Sequence, residues 1–181
     1  NEEILIVKSL NLLTIKPVLF VANVDENSAV TGNDYSKKLS DLGLSRGITT
    51  VTMSAKLEAD ISEISDILER KEFLNALDLE ESGLEKLTKA GYELLNLITY
   101  FTAGPKEVRA WTIKNGTIAK DAAGKIHNDF SKGFIAAETI AFGDYIKLGG
   151  EQQARENGSI RTEGKEYIVI DGDIIVFRFN V

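Results

Sequence analysis

Cysteine is absent from this 181-residue sequence, and histidine and tryptophan occur once each. Disulfides and thiolate-held metals are therefore excluded, and one imidazole, His127, cannot build a multi-histidine metal site. No apolar run approaches the length of a membrane span, and no leader of the secretory type opens the sequence. These absences lead to an expectation of a cytoplasmic protein without a membrane partner. What is present is ordinary for a soluble globular chain: 43% hydrophobic and 27% charged residues. That suffices for one comfortable domain or two small ones.

Net charge is −7, unevenly placed. Residues 1–96 hold 10 basic and 17 acidic side chains, and residues 97–181 hold 11 of each. Within the neutral half, Lys106, Arg109, Lys114, Lys120, Lys125 and Lys132 face only Glu107, Asp121 and Asp129 in sequence. Such a patch can meet phosphate or remain a solvated face. The sequence begins at Asn1, and Glu2–Leu13 enters mid-helix, so a piece of something longer is expected.

Periodicity divides the chain at about residue 96. Pro17–Asn23 is a continuous apolar run, expected as a fully buried strand of a parallel sheet. Asp34–Leu42 has helical spacing, with Asp34 as N-cap and Gly43 as the stop. Thr49–Met53 is β-branched and reads as a second strand. Ser54–Lys56 reads as a turn, followed by a helix over Glu58–Leu68. Residues 72–95 read as two helices separated by Gly83, bridging the two domains. The order of elements argues for α/β architecture.

From Leu97 the texture changes. Leu97–Thr102 and Val108–Ile113 read as paired strands, separated by Ala103–Gly104–Pro105. A helix over Ile118–Ile126 with Thr117 as N-cap comes next, then a strand over Phe134–Ala141. Gly149–Gly150 and Asn157–Gly158 flank a short polar helix. Glu166–Ile170 and Asp173–Asn180 read as strands joined across Asp171–Gly172, a strong hairpin signal. Strands, a helix and more strands make a β-grasp pattern, hence an α+β domain over 97–181. His127 reads as a structural hydrogen-bonding residue at a helix end, and Trp111 as core or interface.

Two strand ends carry chemistry. Asn23-Val24-Asp25-Glu26 comes after the first buried strand, and Ser54-Ala55-Lys56 after the second. P-loop GTPases use Asn-Lys-x-Asp and Ser-Ala-Lys at these places to hold guanine, at the carboxyl ends of parallel strands. Here Val24 stands for the lysine and Glu26 for the aspartate, which misplaces a bidentate grip on guanine and favours adenine. No Gly-x-x-x-x-Gly-Lys-Ser/Thr stretch occurs, so this chain alone has no cradle for phosphates and no hydroxyl for Mg²⁺.

The segments Thr14–Glu26, Leu97–Thr112, Ala122–Phe134 and Ile160–Val181 resemble the YchF or Obg-like ATPase family. The resemblance implies a P-loop nucleotide-binding domain whose C-terminal part is residues 1–96, and a β-grasp TGS domain over 97–181. It implies ATP favoured over GTP, with Mg²⁺, in a full-length parent, and association with ribosome or RNA. Asn23, Val24, Glu26, Ser54, Ala55 and Lys56 would then line the base, with Val24 against adenine. No catalytic residue and no metal ligand is expected in this chain, and no nucleotide bound to it alone. A TGS module that binds RNA or ribosomal protein without catalysis is the other reading, and the sequence leaves oligomeric state open.

Overall fold

The computed structural model describes residues 2–104 and 107–180. It divides into two compact units, Asn1–Leu95 and Asn96–Val181.

The first unit starts with helix α1, Glu2–Ser9, and then a single 3-10 turn over Leu13–Ile15 rather than one helix to Leu13. Strands β1 (Phe20–Asn23) and β2 (Thr50–Met53) pair in parallel, from Phe20↔Thr50 to Asn23↔Met53. Helix α2 (Asp34–Arg46) makes the crossover between them. The register brings the two strand ends level, so the segments after Asn23 and Met53 leave side by side. β1 is shorter and less covered than the apolar run suggests. Ala22 is buried, yet Val18 and Val21 remain 46% and 43% exposed. Among the described residues β1 pairs only with β2, and an apolar run alone cannot say how many neighbours a strand has.

Capping corrects the helix bounds. Asn33, not Asp34, caps α2: its Oδ1 accepts from Tyr35 N and Ser36 N, while Ser36 Oγ accepts from Asn33 N at 2.8 Å. Gly43 is inside α2, where a Cβ would meet Thr50 Oγ1 at 2.4 Å and the Ile48 carbonyl at 2.6 Å. It permits close approach to β2, and Gly47, at φ +65°, ends the helix. Ser54 caps α3 (Ala55–Glu63), so Ala55 and Lys56 are helical rather than a turn. A second cap, Asp66, then starts α4 (Ile67–Ala76), dividing what the sequence presents as one helix. Ser82 caps α5 (Gly83–Leu94), which makes Gly83 its first residue. Glu58 of α3 accepts from Gly83 N at 2.7 Å and Leu84 N at 3.0 Å, docking α5 by its N-terminus. Ala29, Leu57, Ile61, Leu74 and Leu79 form the buried cluster.

The second unit contains β3 (Leu97–Ala103), β4 (Val108–Lys114), α6 (Ala119–Ile126), α7 (Asn128–Lys132) and β5 (Phe134–Ile140). Then come α8 (Phe142–Leu148), α9 (Glu151–Glu156), β6 (Arg161–Glu163) and β7 (Ile174–Phe179). The mixed sheet runs β4-β3-β7-β5-β6, with β7 parallel to β3 and antiparallel to β5. On one face Tyr100, Ile113, Ala119, Ala122, Ala137, Ile175 and Phe177 pack together; on the other, Ile140, Ala154 and Ile174 do.

The Asp171–Gly172 hairpin is not formed. Glu166–Ile170 contributes one isolated bridge, Ile118↔Ile168, and no strand. Instead Asp171 Oδ1 accepts from Thr99 N at 2.7 Å, and Gly172 N donates to the Thr99 carbonyl at 2.8 Å. The turn residues thus dock on β3 and deliver β7 to the middle of the sheet. Thr117 is not a cap either, because its hydroxyl donates to the Lys114 carbonyl. Among the described residues no helix is long and apolar enough to cross a membrane.

Candidate functional site

The parallel pair places its two strand ends next to one another, and three contacts join the segments beyond them. Asn23 Oδ1 accepts from Ala55 N at 2.9 Å. Val24 N donates to the Met53 carbonyl at 2.9 Å. The Glu26 carboxylate pairs with the Lys56 ammonium. That partner holds the Glu26 carboxyl below its ordinary range and raises Lys56. Ser54, 2% exposed, spends its hydroxyl on Leu57 N. Asn23, Glu26, Ala55 and Lys56 are exposed and Val24 is half-buried. One corner therefore offers an apolar side chain, an ionised acceptor and a cation.

Asp25 organises this corner, a role that the strand-end motifs do not assign to it. It caps the 3-10 turn Glu26–Ser28, accepting from Ser28 N at 3.1 Å and Ser28 Oγ at 2.9 Å. The Ser28 hydroxyl, chiefly, keeps its carboxyl below the ordinary range. An Asp three residues before a Ser is the signal in the sequence that could have found it.

The charged acceptor at this corner is the Glu26 carboxylate. Among the described residues no group of three or more His, Asp or Glu side chains could hold a metal ion. A hollow of about 440 Å³ in the same unit lies between Glu58, Arg70, Ser82 and Thr88 and includes none of the corner residues.

The basic residues of the second unit are dispersed. Lys106 lies outside the described residues. Lys114 and Lys125 line one hollow of about 480 Å³, with Leu97, Thr117 and Asp121. Arg109 sits at the other end of β4, its register partner being Thr102 where that of Lys114 is Leu97. Its guanidinium lies 4.2 Å from the Trp111 ring centroid. Trp111 is half-buried, bonded through Nε1 to Thr102 Oγ1 at 3.0 Å. Lys120 is exposed on α6, and Lys132, also exposed, ends α7. His127 caps α7, its Nδ1 accepting from Asp129 N at 3.3 Å.

Comparison with known proteins gives consistent matches. Residues 97–180 match the family model YchF-GTPase_C, described as a protein of unknown function (DUF933). The chain is 52% identical over 180 residues to the ribosome-binding ATPase YchF of Escherichia coli O157:H7, covering 99% of this chain and 49% of that protein. It is 48% identical over 183 residues to the ribosome-binding ATPase YchF of Bacillus subtilis strain 168, covering all of this chain and 50% of that one. The chain thus spans about half the length of the curated relatives it matches. The solved Schizosaccharomyces pombe YchF GTPase superposes with a TM-score of 0.83 at 38% identity, over 98% of this chain and 47% of that one. A GTP-binding protein from Pyrococcus horikoshii OT3, at 20% identity and a TM-score of 0.61, shares the fold over 91% of this chain and 46% of that one.

Proposed function

The chain belongs to the YchF family, and from that premise we propose that it forms the base-side wall of a ribosome-associated purine nucleotide hydrolase, joined to a β-grasp docking module of the TGS type. The carrying observation is the Asn23–Ala55 and Glu26–Lys56 pair of contacts across two parallel strand ends. They hold an ionised carboxylate beside Val24. A carboxylate accepts from an exocyclic amino group, and adenine presents one. Guanine presents two adjacent donors, which a shorter aspartate in this place would meet. ATP is accordingly favoured over GTP. The phosphates and Mg²⁺ would be held by residues beyond these 181, since no phosphate loop is among them. The role of this chain is to orient the base, in the cytoplasm.

The strand order β4-β3-β7-β5-β6 around α6 supports reading unit 2 as the β-grasp module. Its two-lysine hollow supports a docking role toward the ribosome. The test is nucleotide affinity in the full-length protein that contains this chain. Val24→Lys combined with Glu26→Asp should move preference from ATP toward GTP by about tenfold or more. An unchanged ratio would locate base selection elsewhere and overturn the reading.

A further inference from the structure

The Glu26–Lys56 pair sets an acceptor and a donor side by side at the strand-end corner. Lys56 lies in the first turn of α3. The Ser54 cap and the hydrogen bond from Ala55 N to Asn23 Oδ1 fix that turn beside the end of β1. The Lys56 ammonium meets one oxygen of Glu26, Oε1. An ammonium has three N–H donors and a carboxylate two oxygens, so each partner has capacity outside the pair. Both side chains are open to a ligand, at 73% exposure for Lys56 and 40% for Glu26.

Purines differ at two adjacent atoms of one edge. Adenine has an amino donor on C6 and an acceptor at ring N1. Guanine has the reverse, an acceptor at O6 and a donor at N1. A carboxylate alone serves only the amino group of adenine. Its charge would repel the neighbouring N1 lone pair. An ammonium next to it turns that repulsion into a hydrogen bond.

We infer that Lys56 donates to ring N1 of adenine while Glu26 accepts from the 6-amino group, so that the pair reads the two atoms at which adenine and guanine differ. This deepens the base-side role proposed above and rests on it. The adenine reading also decides which ring nitrogen Lys56 meets. The amino group is flanked by N1 and N7, and both are acceptors. A cation on the N7 side would meet N7 and O6 of guanine together and favour guanine. On the N1 side it opposes the N1–H of guanine, donor against donor. Lys56 therefore sets specificity. A lysine that served only to hold Glu26 would be indifferent to the ring nitrogens.

The test uses the full-length protein that contains this chain and calorimetric affinities for ADP, 1-deaza-ADP and 7-deaza-ADP. The diphosphates keep hydrolysis out of the measurement. 1-Deaza-ADP has C–H in place of N1 and retains the amino group. The unaltered protein should bind it about tenfold more weakly than ADP, the loss of one charge-assisted hydrogen bond. Lys56→Met should bind ADP about tenfold more weakly and no longer distinguish it from 1-deaza-ADP. Any penalty for 7-deaza-ADP should be the same in both proteins. Equal binding of ADP and 1-deaza-ADP by the unaltered protein would overturn the inference, and that arm needs no variant to fold. A 1-deaza penalty undiminished in Lys56→Met, or a Lys56 effect coupled to 7-deaza-ADP instead, would overturn it as well. The base-side reading fails separately. If Val24→Lys with Glu26→Asp leaves the ATP-to-GTP ratio unchanged, both are lost. If that ratio moves while the 1-deaza penalty is indifferent to Lys56, only the role of Lys56 is lost.

Discussion

Apart from α7, which starts on the His127 side chain, the helices of the two units are specified by different means. In unit 1, α2, α3, α4 and α5 each begin on a capping side chain: Asn33, Ser54, Asp66 and Ser82. In unit 2, α6, α8 and α9 begin on Ile118, Ala141 and Gly150, with no side-chain cap. There α6 satisfies its first amides through the fold, Ala119 N donating to the Tyr167 carbonyl at 2.7 Å. Packing differs in the same sense. Unit 2 buries apolar residues against both faces of a five-stranded sheet, while the described residues of unit 1 form two strands and leave Val18 and Val21 exposed. Unit 1 is thus written largely in local signals, and unit 2 in contacts between distant segments.

The sharpest way to break this contrast is to empty each core. Tyr100 is fully buried, stacks with Trp111, meets Phe177 edge-on and donates to the Ala122 carbonyl. Tyr100→Ala should cost unit 2 about 3–5 kcal/mol. Leu57→Ala, in the smaller cluster of unit 1, should cost about 2–3 kcal/mol. Urea denaturation monitored by amide signals from each unit checks both values, and equal losses would remove the difference in packing. Gly133→Ala comes next. Its Cβ would lie 1.8 Å from the Asn180 carbonyl oxygen, a backbone atom that cannot swing aside. About 2–3 kcal/mol should be lost from unit 2 in the same experiment.

Caps give the smaller and more discriminating comparison. Ser82→Ala removes half of the α5 capping box and should cost unit 1 about 1 kcal/mol. Ala141→Ser supplies a cap that α8 lacks and should stabilise unit 2 by about 0.5–1 kcal/mol. A gain at Ala141 equal to the loss at Ser82 would mean that both units use caps alike and that α8 merely lacks one.

The same contrast accounts for what could be read from sequence. The strand-end corner was legible because it needs only a βαβ unit with parallel register, and each of its motifs is contiguous. The start of α2 came within a residue, since Asn33 beside Asp34 offers two capping side chains and only geometry chooses. Asp171–Gly172 misled for the opposite reason. Its turn chemistry is genuine, but the strand partner is decided by the core, which draws Ile175 and Phe177 between β3 and β5. The three-residue β6 and the five-residue α7 are too short to show a period.

The smallest expected effect lies in the corner itself, where exposure leaves little stability at stake and the informative quantity is a titration. Glu26 ionises below its ordinary 4.5 because Lys56 bonds to it. A depressed carboxyl favours the folded state above its unfolded pKa, and that contribution is lost as pH falls through the folded value. Lys56→Met should therefore bring Glu26 back toward 4.5, read from its side-chain carbonyl carbon by NMR. Asp25 is depressed chiefly by the Ser28 hydroxyl, so it should keep its value in that variant and rise in Ser28→Ala. If Lys56→Met left Glu26 unmoved, the side chains joining the two strand-end segments would reduce to Asn23, and the Glu26 carboxylate would be free to turn.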